Sequence, residues 1–349
     1  MVYGLITRVR NWLFDRDLIL KSTIFDIPII SVGNLTAGGT GKTPHTELIL
    51  SLLQDQWKVA MLSRGYKRTS KGFVMADHNA DCNTLGDEPY QIHLKFPKVT
   101  VAVDEKRVNG INQLLSSCPD IDAIVLDDAF QHRFVQPGLS ILLTDYQHLY
   151  FQDKLLPLGR LRENPKGAIR ANIIIVTKCP ADISPMDKRL VVTGIKPDNH
   201  QLLLFSSYKY EEIKPVFPQY LTNVWTYDRI KSEHASVLLI AGIVSPQPIV
   251  EHLNHYTKAV FTSFFEDHHS FLTKDFEQFT RRFNTIFARN KLILLTEKDA
   301  AKIINNPHYP EALKPFTYTL PIKVQILNDE ESKFNQKIKN YVVENPRNC

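Results

Sequence analysis

The chain has 349 residues, too many for one ordinary core, so two domains are expected. Hydrophobic residues make up 43% and charged residues 23%, the proportions of a soluble globular protein, and a net charge of +5 suits anionic partners without arguing for nucleic acid, which is not expected here. With no run of about 20 apolar residues, no membrane-spanning helix is expected.

Residues 2–20 place Val2, Leu5, Ile6, Val9 and Leu13, with Trp12 nearby, on one helical face, and Arg8, Arg10 and Arg16 lie around it. Such a helix can lie in a membrane interface or dock on the protein body, and the residues alone leave both open. The start of the chain lacks the long apolar core and small-residue cleavage site of a secretory signal. An apolar run from Ile27 to Val32 then leads into Gly33, Gly38, Gly39, Thr40, Gly41, Lys42 and Thr43, followed by the helical pattern Leu48, Ile49, Leu52 and Leu53. Strand, glycine-rich loop and helix form the context of a phosphate-binding loop. Gly38, Gly39, Thr40 and Gly41 turn backbone amides toward an anion, Lys42 reaches the β- and γ-phosphates, and the Thr43 hydroxyl ligates Mg²⁺. The strict pattern asks for glycine where Thr36 stands; the core Gly-Gly-Thr-Gly-Lys-Thr is intact.

A second buried strand, from Trp57, ends in Ser63-Arg64-Gly65-Tyr66. Ser63 and Tyr66 there belong to the ligand-facing edge of an open α/β sheet. Residues 67–85 read as loop or hairpin. Asp87, in Gly86-Asp87-Glu88-Pro89, reads first as the cap of a helix running from Tyr90 to Leu94. After a strand at Val99 to Val103, the charges Asp104 to Arg107 read as a solvated helix start. The apolar strand Ile121 to Leu126 ends in Asp127 and Asp128, which with Lys42 and Thr43 read as the acidic element that organises Mg²⁺. Strands follow at 140–144 and 172–176. Between them a loop carries Arg160, Arg162 and Glu163, for which contact with phosphate or metal and simple solvation both stay open.

The expected fold is α/β: a P-loop NTPase-like, doubly wound, mostly parallel sheet with a second, smaller α/β domain joined by an extended β linker. The expected boundaries are an amphipathic helix at 1–22, a P-loop kinase domain at 23–195, a linker at 196–233 and the smaller domain at 234–349, with the tail from Glu344 frayed. Cys82, Cys118, Cys179 and Cys349 have no paired spacing and suggest neither disulfides nor a zinc site.

Taken together, Val32–Pro44, Ser63–Tyr66, Gly86–Pro89, Asp127-Asp128 with Gln131-His132, Arg162-Glu163, Asp267-His268 and Thr296–Asp299 resemble tetraacyldisaccharide 4'-kinase, the lipid A kinase of Gram-negative bacteria. The motifs stand in family order and span most of the chain; one departure is Ala129, where the family has Gly. The resemblance implies ATP- and Mg²⁺-dependent phosphorylation of the 4'-hydroxyl of a lipid-linked glucosamine disaccharide 1-phosphate. It implies an enzyme seated peripherally on the cytoplasmic face of the inner membrane, and favours the membrane reading of residues 2–20; a monomer is expected. It carries Glu163 to the metal beside Thr43 and Asp127, leaves Asp128 as ligand or water-orienting group, sets Arg162 against phosphate charge, and pairs Asp87 as base with His268. The competing expectation is a partitioning or maturation ATPase that uses nucleotide as a switch. That class carries a signature lysine where this chain has Ala37.

Overall fold

The computed structural model describes residues 2–16, 19–221 and 224–345. The end of the expected tail, with Cys349, lies outside them. In chain order the elements are α1 (Val2–Asp15), β1 (Ile29–Asn34), α2 (Lys42–Leu53), β2 (Val59–Ser63), β3 (Val74–Met75), α3 (Cys82–Leu85), α4 (Asp87–Lys95) and β4 (Thr100–Val103). Then come α5 (Arg107–Ser117), β5 (Ala123–Asp127), β6 (Leu139–Asp145), β7 (Ile173–Thr177), α6 (Pro185–Ile195) and β8 (Leu202–Tyr210). The later elements are β9 (Lys214–Pro215), α7 (Tyr227–Ser232), β10 (Ser236–Ala241), α8 (Gln247–Leu253), β11 (Val260–Phe264), α9 (Thr273–Thr285), β12 (Lys291–Thr296), α10 (Glu297–Ile303), β13 (Thr317–Leu320), β14 (Ile322–Ile326) and α11 (Glu331–Val343).

The larger unit holds a nine-stranded sheet in the order β14-β8-β7-β6-β1-β5-β2-β4-β3. From β8 through β4 the neighbouring strands run parallel, and β3 pairs antiparallel with β4. Strands β1, β2, β5 and β7 are buried along their whole length, as parallel strands with helices on both faces must be. Ile49, Leu50 and Leu53 of α2 and Phe334, Ile338 and Val342 of α11 pack in one core with Ile30 and Val32. Ile111 and Leu114 of α5, and Val191 and Ile195 of α6, fill separate clusters with residues of other strand positions. The doubly wound expectation is met. Across the central strands Val32 faces Asp127 and Leu62 faces Leu126, so β1, β5 and β2 end at the same edge.

The smaller unit comprises residues 81–83 and 210–322. Its sheet runs β11-β10-β12-β13-β9, parallel except β13 with β9. Two expected boundaries need correction. Residues 196–233 are not a linker, because β8 pairs with β7 in the large sheet while β9 pairs with β13 in the small one. Residues 323–345 belong to the larger unit and not to the smaller one. There β14 joins the large sheet, and Tyr341 Oη accepts a hydrogen bond from the Ile29 amide at 3.0 Å.

Helix α1 docks and also presents an apolar face. Thr7 and Phe14 are buried, and Gly4 lies against Leu155. Arg133 bonds the Asn11 carbonyl at 2.9 Å and the Asp15 carboxylate at 2.7 Å. Leu5, Ile6, Val9 and Trp12 point to solvent on the opposite side.

Candidate active site

The loop between β1 and α2 is shaped by two left-handed glycines, Gly38 at φ 112° and Gly41 at φ 84°. A Cβ on Gly41 would stand 2.0 Å from the Tyr208 hydroxyl, so conformation and space both require glycine there. Asn34, fully buried at the end of β1, donates from Nδ2 to Thr40 Oγ1 at 2.8 Å. Ala37 donates its amide to the Arg160 carbonyl, and Arg162 donates its amide to the Leu35 carbonyl, each at 2.7 Å. The arginine loop is thereby pinned along the start of the glycine loop.

Lys42 and Thr43 open α2, where the helix dipole favours anions. Lys42 Nζ lies 3.8 Å from Asp128 Oδ1, and Arg162 Nη1 is 3.3 Å from the same oxygen. Burial works to raise the Asp128 carboxyl, but Lys42 and Arg162 outweigh it and hold the group below its ordinary value. Asp128 adopts φ 46°, whereas Ala129 is absent from the positive-φ residues. An alanine at position 129 therefore carries no left-handed strain. Asp127 is buried and accepts a hydrogen bond from Thr46 Oγ1 at 3.0 Å. Burial, then Glu88 and Asp128, push its carboxyl upward to about 7, against Lys42 and Thr46. A cation near Asp127 would relieve that unfavourable charge.

Glu163 departs from its expected role. It is fully buried, and both carboxylate oxygens lie 2.9 Å from Arg170 Nη2. Asn11 Nδ2 donates to Oε2 at 2.9 Å and Gln131 Nε2 to Oε1 at 3.2 Å. With its lone pairs taken by a guanidinium and two amides, Glu163 ties α1 to the arginine loop and is not placed as a free metal ligand. Among the described residues no three His, Cys, Asp or Glu side chains cluster to hold a metal. Mg²⁺ commonly takes one or two carboxylates and fills its shell with water and phosphate oxygens, so Thr43, Asp127 and Asp128 still fit it.

Ser63 is buried at the end of β2, and Tyr66 is exposed beyond it. Asp87 stands at the first helical position of α4; the cap is Gly86, whose φ of 93° and close approach to the Tyr66 carbonyl fix the helix start. The cap reading of Asp87 is thus replaced by a half-buried carboxylate in the first turn. His268, in the smaller unit, is also left-handed at φ 60°. Its Nε2 is 3.3 Å from Lys298 Nζ and 3.5 Å from Asp267 Oδ2.

Arg107 had seemed part of a solvated helix start, yet it is 1% exposed. It donates to the Asp104 carbonyl at 2.6 Å and to the Asp127 carbonyl at 3.2 Å, and so braces the acidic pair from beneath. Burial lowers its guanidinium to about 10. No sequence period marks it. Thr46 belongs to no motif, yet its position one turn after Thr43 puts it on the same helical face.

The family model described as LpxK, Tetraacyldisaccharide-1-P 4'-kinase, matches residues 1–343. The chain belongs to this kinase family. Relatives named tetraacyldisaccharide 4'-kinase include one from Bacteroides thetaiotaomicron, 49% identical over 99% of this chain and 92% of the relative. Another, from Flavobacterium johnsoniae, is 43% identical over 99% and 96% of the two chains. A crystal structure of LpxK from Aquifex aeolicus in complex with ATP is 26% identical, with a TM-score of 0.73 over 98% of this chain and 96% of that one. As a member of the tetraacyldisaccharide 4'-kinase family the chain is a kinase with an α/β fold built on a P-loop sheet.

Proposed function

We propose that this chain transfers the γ-phosphoryl group of ATP to the 4'-hydroxyl of a tetraacylated glucosamine disaccharide 1-phosphate, the lipid A precursor. The observation that carries the reading is the glycine loop and Lys42 facing the Asp127–Asp128 pair, in a chain that matches the kinase family along its length. Loop amides and the Lys42 ammonium bind the phosphates. Thr43 and Asp127 would hold Mg²⁺, with Asp128 as a further ligand or as the group that orients its water. Mg²⁺, when bound, neutralises charge on the phosphate oxygens. Arg162 offsets charge beside Asp128. Asp87 accepts the proton of the attacking hydroxyl, and His268 orients or shares it. Ser63 and Tyr66 border the acceptor side of the sheet edge.

The acyl chains resist leaving a bilayer, at about 0.8 kcal/mol per CH₂. The enzyme therefore works peripherally on the cytoplasmic face of the inner membrane, where the solvent-facing Leu5, Val9 and Trp12 enter the lipid and Arg8, Arg10 and Arg16 meet anionic headgroups.

The test measures ATP consumption in detergent micelles with and without the acylated disaccharide 1-phosphate. Stoichiometric, acceptor-dependent consumption is expected. Turnover indifferent to the acceptor would favour the nucleotide-switch ATPase. In the same assay Asp87→Ala should lower kcat by roughly 10²–10⁴-fold with little change in ATP affinity. A stable variant with normal kcat would remove Asp87 as the base.

A further inference from the structure

The carbonyl side of the glycine loop is tied down residue by residue. Lys178 Nζ donates to the Gly39 carbonyl and to Asp145. Thr177 Oγ1 donates to the Thr40 carbonyl at 2.9 Å. His45 Nδ1 bonds the Gly41 carbonyl at 2.7 Å. Three successive carbonyls are thus held by side chains outside the loop, two from the end of β7 and one from α2. His45 is in turn held by Ser206 of β8, whose Oγ is 2.9 Å from Nε2.

The chemistry of these contacts sets the imidazole. A carbonyl only accepts, so Nδ1 carries the proton and Nε2 accepts from the Ser206 hydroxyl. The ring is neutral, and its burial favours that state. The peptide geometry then sets the amides. A trans peptide points its C=O and N–H in opposite directions. Anchoring the Thr40 and Gly41 carbonyls to Thr177 and His45 turns the amides of Gly41 and Lys42 the other way. The Thr40 amide is spent inside the loop, on the Gly38 carbonyl at 3.0 Å. A loop with left-handed residues would otherwise pay an ordering cost when a phosphate arrives.

We propose that His45 and Thr177, with Lys178, are positioning residues that hold the glycine loop in its phosphate-binding shape before nucleotide is present. This rests on reading the loop as the ATP site. None of the three carries a reacting group; each acts through the backbone it holds.

The experiment titrates MgATP by calorimetry into the full chain and into conservative pairs of variants, with KM and kcat measured alongside. His45→Gln keeps a polar group near Ser206 but loses the donor to Gly41, while His45→Asn places an amide N–H close to the reach of Nδ1. Thr177→Val removes only the hydroxyl, and Thr177→Ser restores it. Losing one such hydrogen bond should weaken MgATP binding by about three- to tenfold. His45→Asn and Thr177→Ser should recover most of that loss, and the KM for the lipid acceptor should stay put. Folded His45→Gln and Thr177→Val proteins with unchanged MgATP affinity would overturn the proposal, as would a loss not rescued by the conservative partner. If His45→Gln does not fold, the isosteric Thr177 pair decides alone. A wild-type chain that binds no MgATP would overturn the ATP-site reading itself, an outcome separate from variants that bind as well as wild type.

Discussion

His45 is a neutral group sealed inside the fold, and that has a consequence for stability. Burial lowers its imidazole to about 4 from an ordinary 6.5, with Lys178 adding to the fall and the Gly41 carbonyl opposing it. Between those values the unfolded chain binds a proton that the folded chain refuses. Stability from this group is therefore complete above about pH 6.5 and is lost as pH falls toward 4, at about 1.4 kcal/mol per unit. Denaturant unfolding across pH 4–7 should show this slope in the wild type and a shallower one in His45→Asn, which has nothing to protonate. Equal slopes in the two proteins would show that His45 does not titrate differently on folding. Glu163 is the complementary case at this scale. The loop sequence around it read as a candidate metal ligand, whereas Arg170, Asn11 and Gln131 occupy its oxygens. Its partner Asn11 lies 152 residues away, so nothing local in the loop announced the contact.

At the scale of elements, α1 has a docked face and a solvent-facing one, the two features behind the readings that its sequence left level. One face is bound to the protein through Thr7, Asn11 and Phe14, with Arg133 stacked 5.1 Å from the Phe14 ring. The other leaves Leu5 61% and Ile6 60% exposed. A helix docked by polar and aromatic contacts has no need of a solvent-facing apolar stripe for its own stability. Replacing Leu5, Val9 and Trp12 together by glutamate should leave thermal stability nearly unchanged, within about 0.5 kcal/mol per exposed site. The same variant should lose at least about tenfold in partition to anionic vesicles, since each buried apolar side chain contributes roughly 1.5–3 kcal/mol. Sedimentation with vesicles equal to that of the wild type would sink the membrane role of this face. Deleting the whole helix is a poorer test, because it also breaks the Asn11–Glu163 contact.

At the scale of the molecule, the chain leaves its first core, builds a second α/β unit, and returns. The returning segment is structural: Phe334, Ile338 and Val342 are buried in the core that also holds β1 and α2. Phe334→Ala should cost about 3–5 kcal/mol, read as a lower denaturant midpoint for the larger unit. A change within about 0.5 kcal/mol would mean that residues 323–345 are an appendage.

Sequence alone was enough for the strand–loop–helix around Lys42, the acidic end of β5 and the doubly wound class, because each depends on a local apolar period and on neighbours within one turn. It was also enough for the family, through motifs that stand in order. Only the tertiary structure decided that Arg107 is buried under Asp127, that Glu163 is an anchor for α1, and that the last strand and helix complete the first sheet. A buried charge and a solvated one have the same sequence signature until the partners that compensate them are known. An amphipathic strand or helix carries no record of which apolar surface it covers. That choice belongs to the long-range packing between distant parts of the chain.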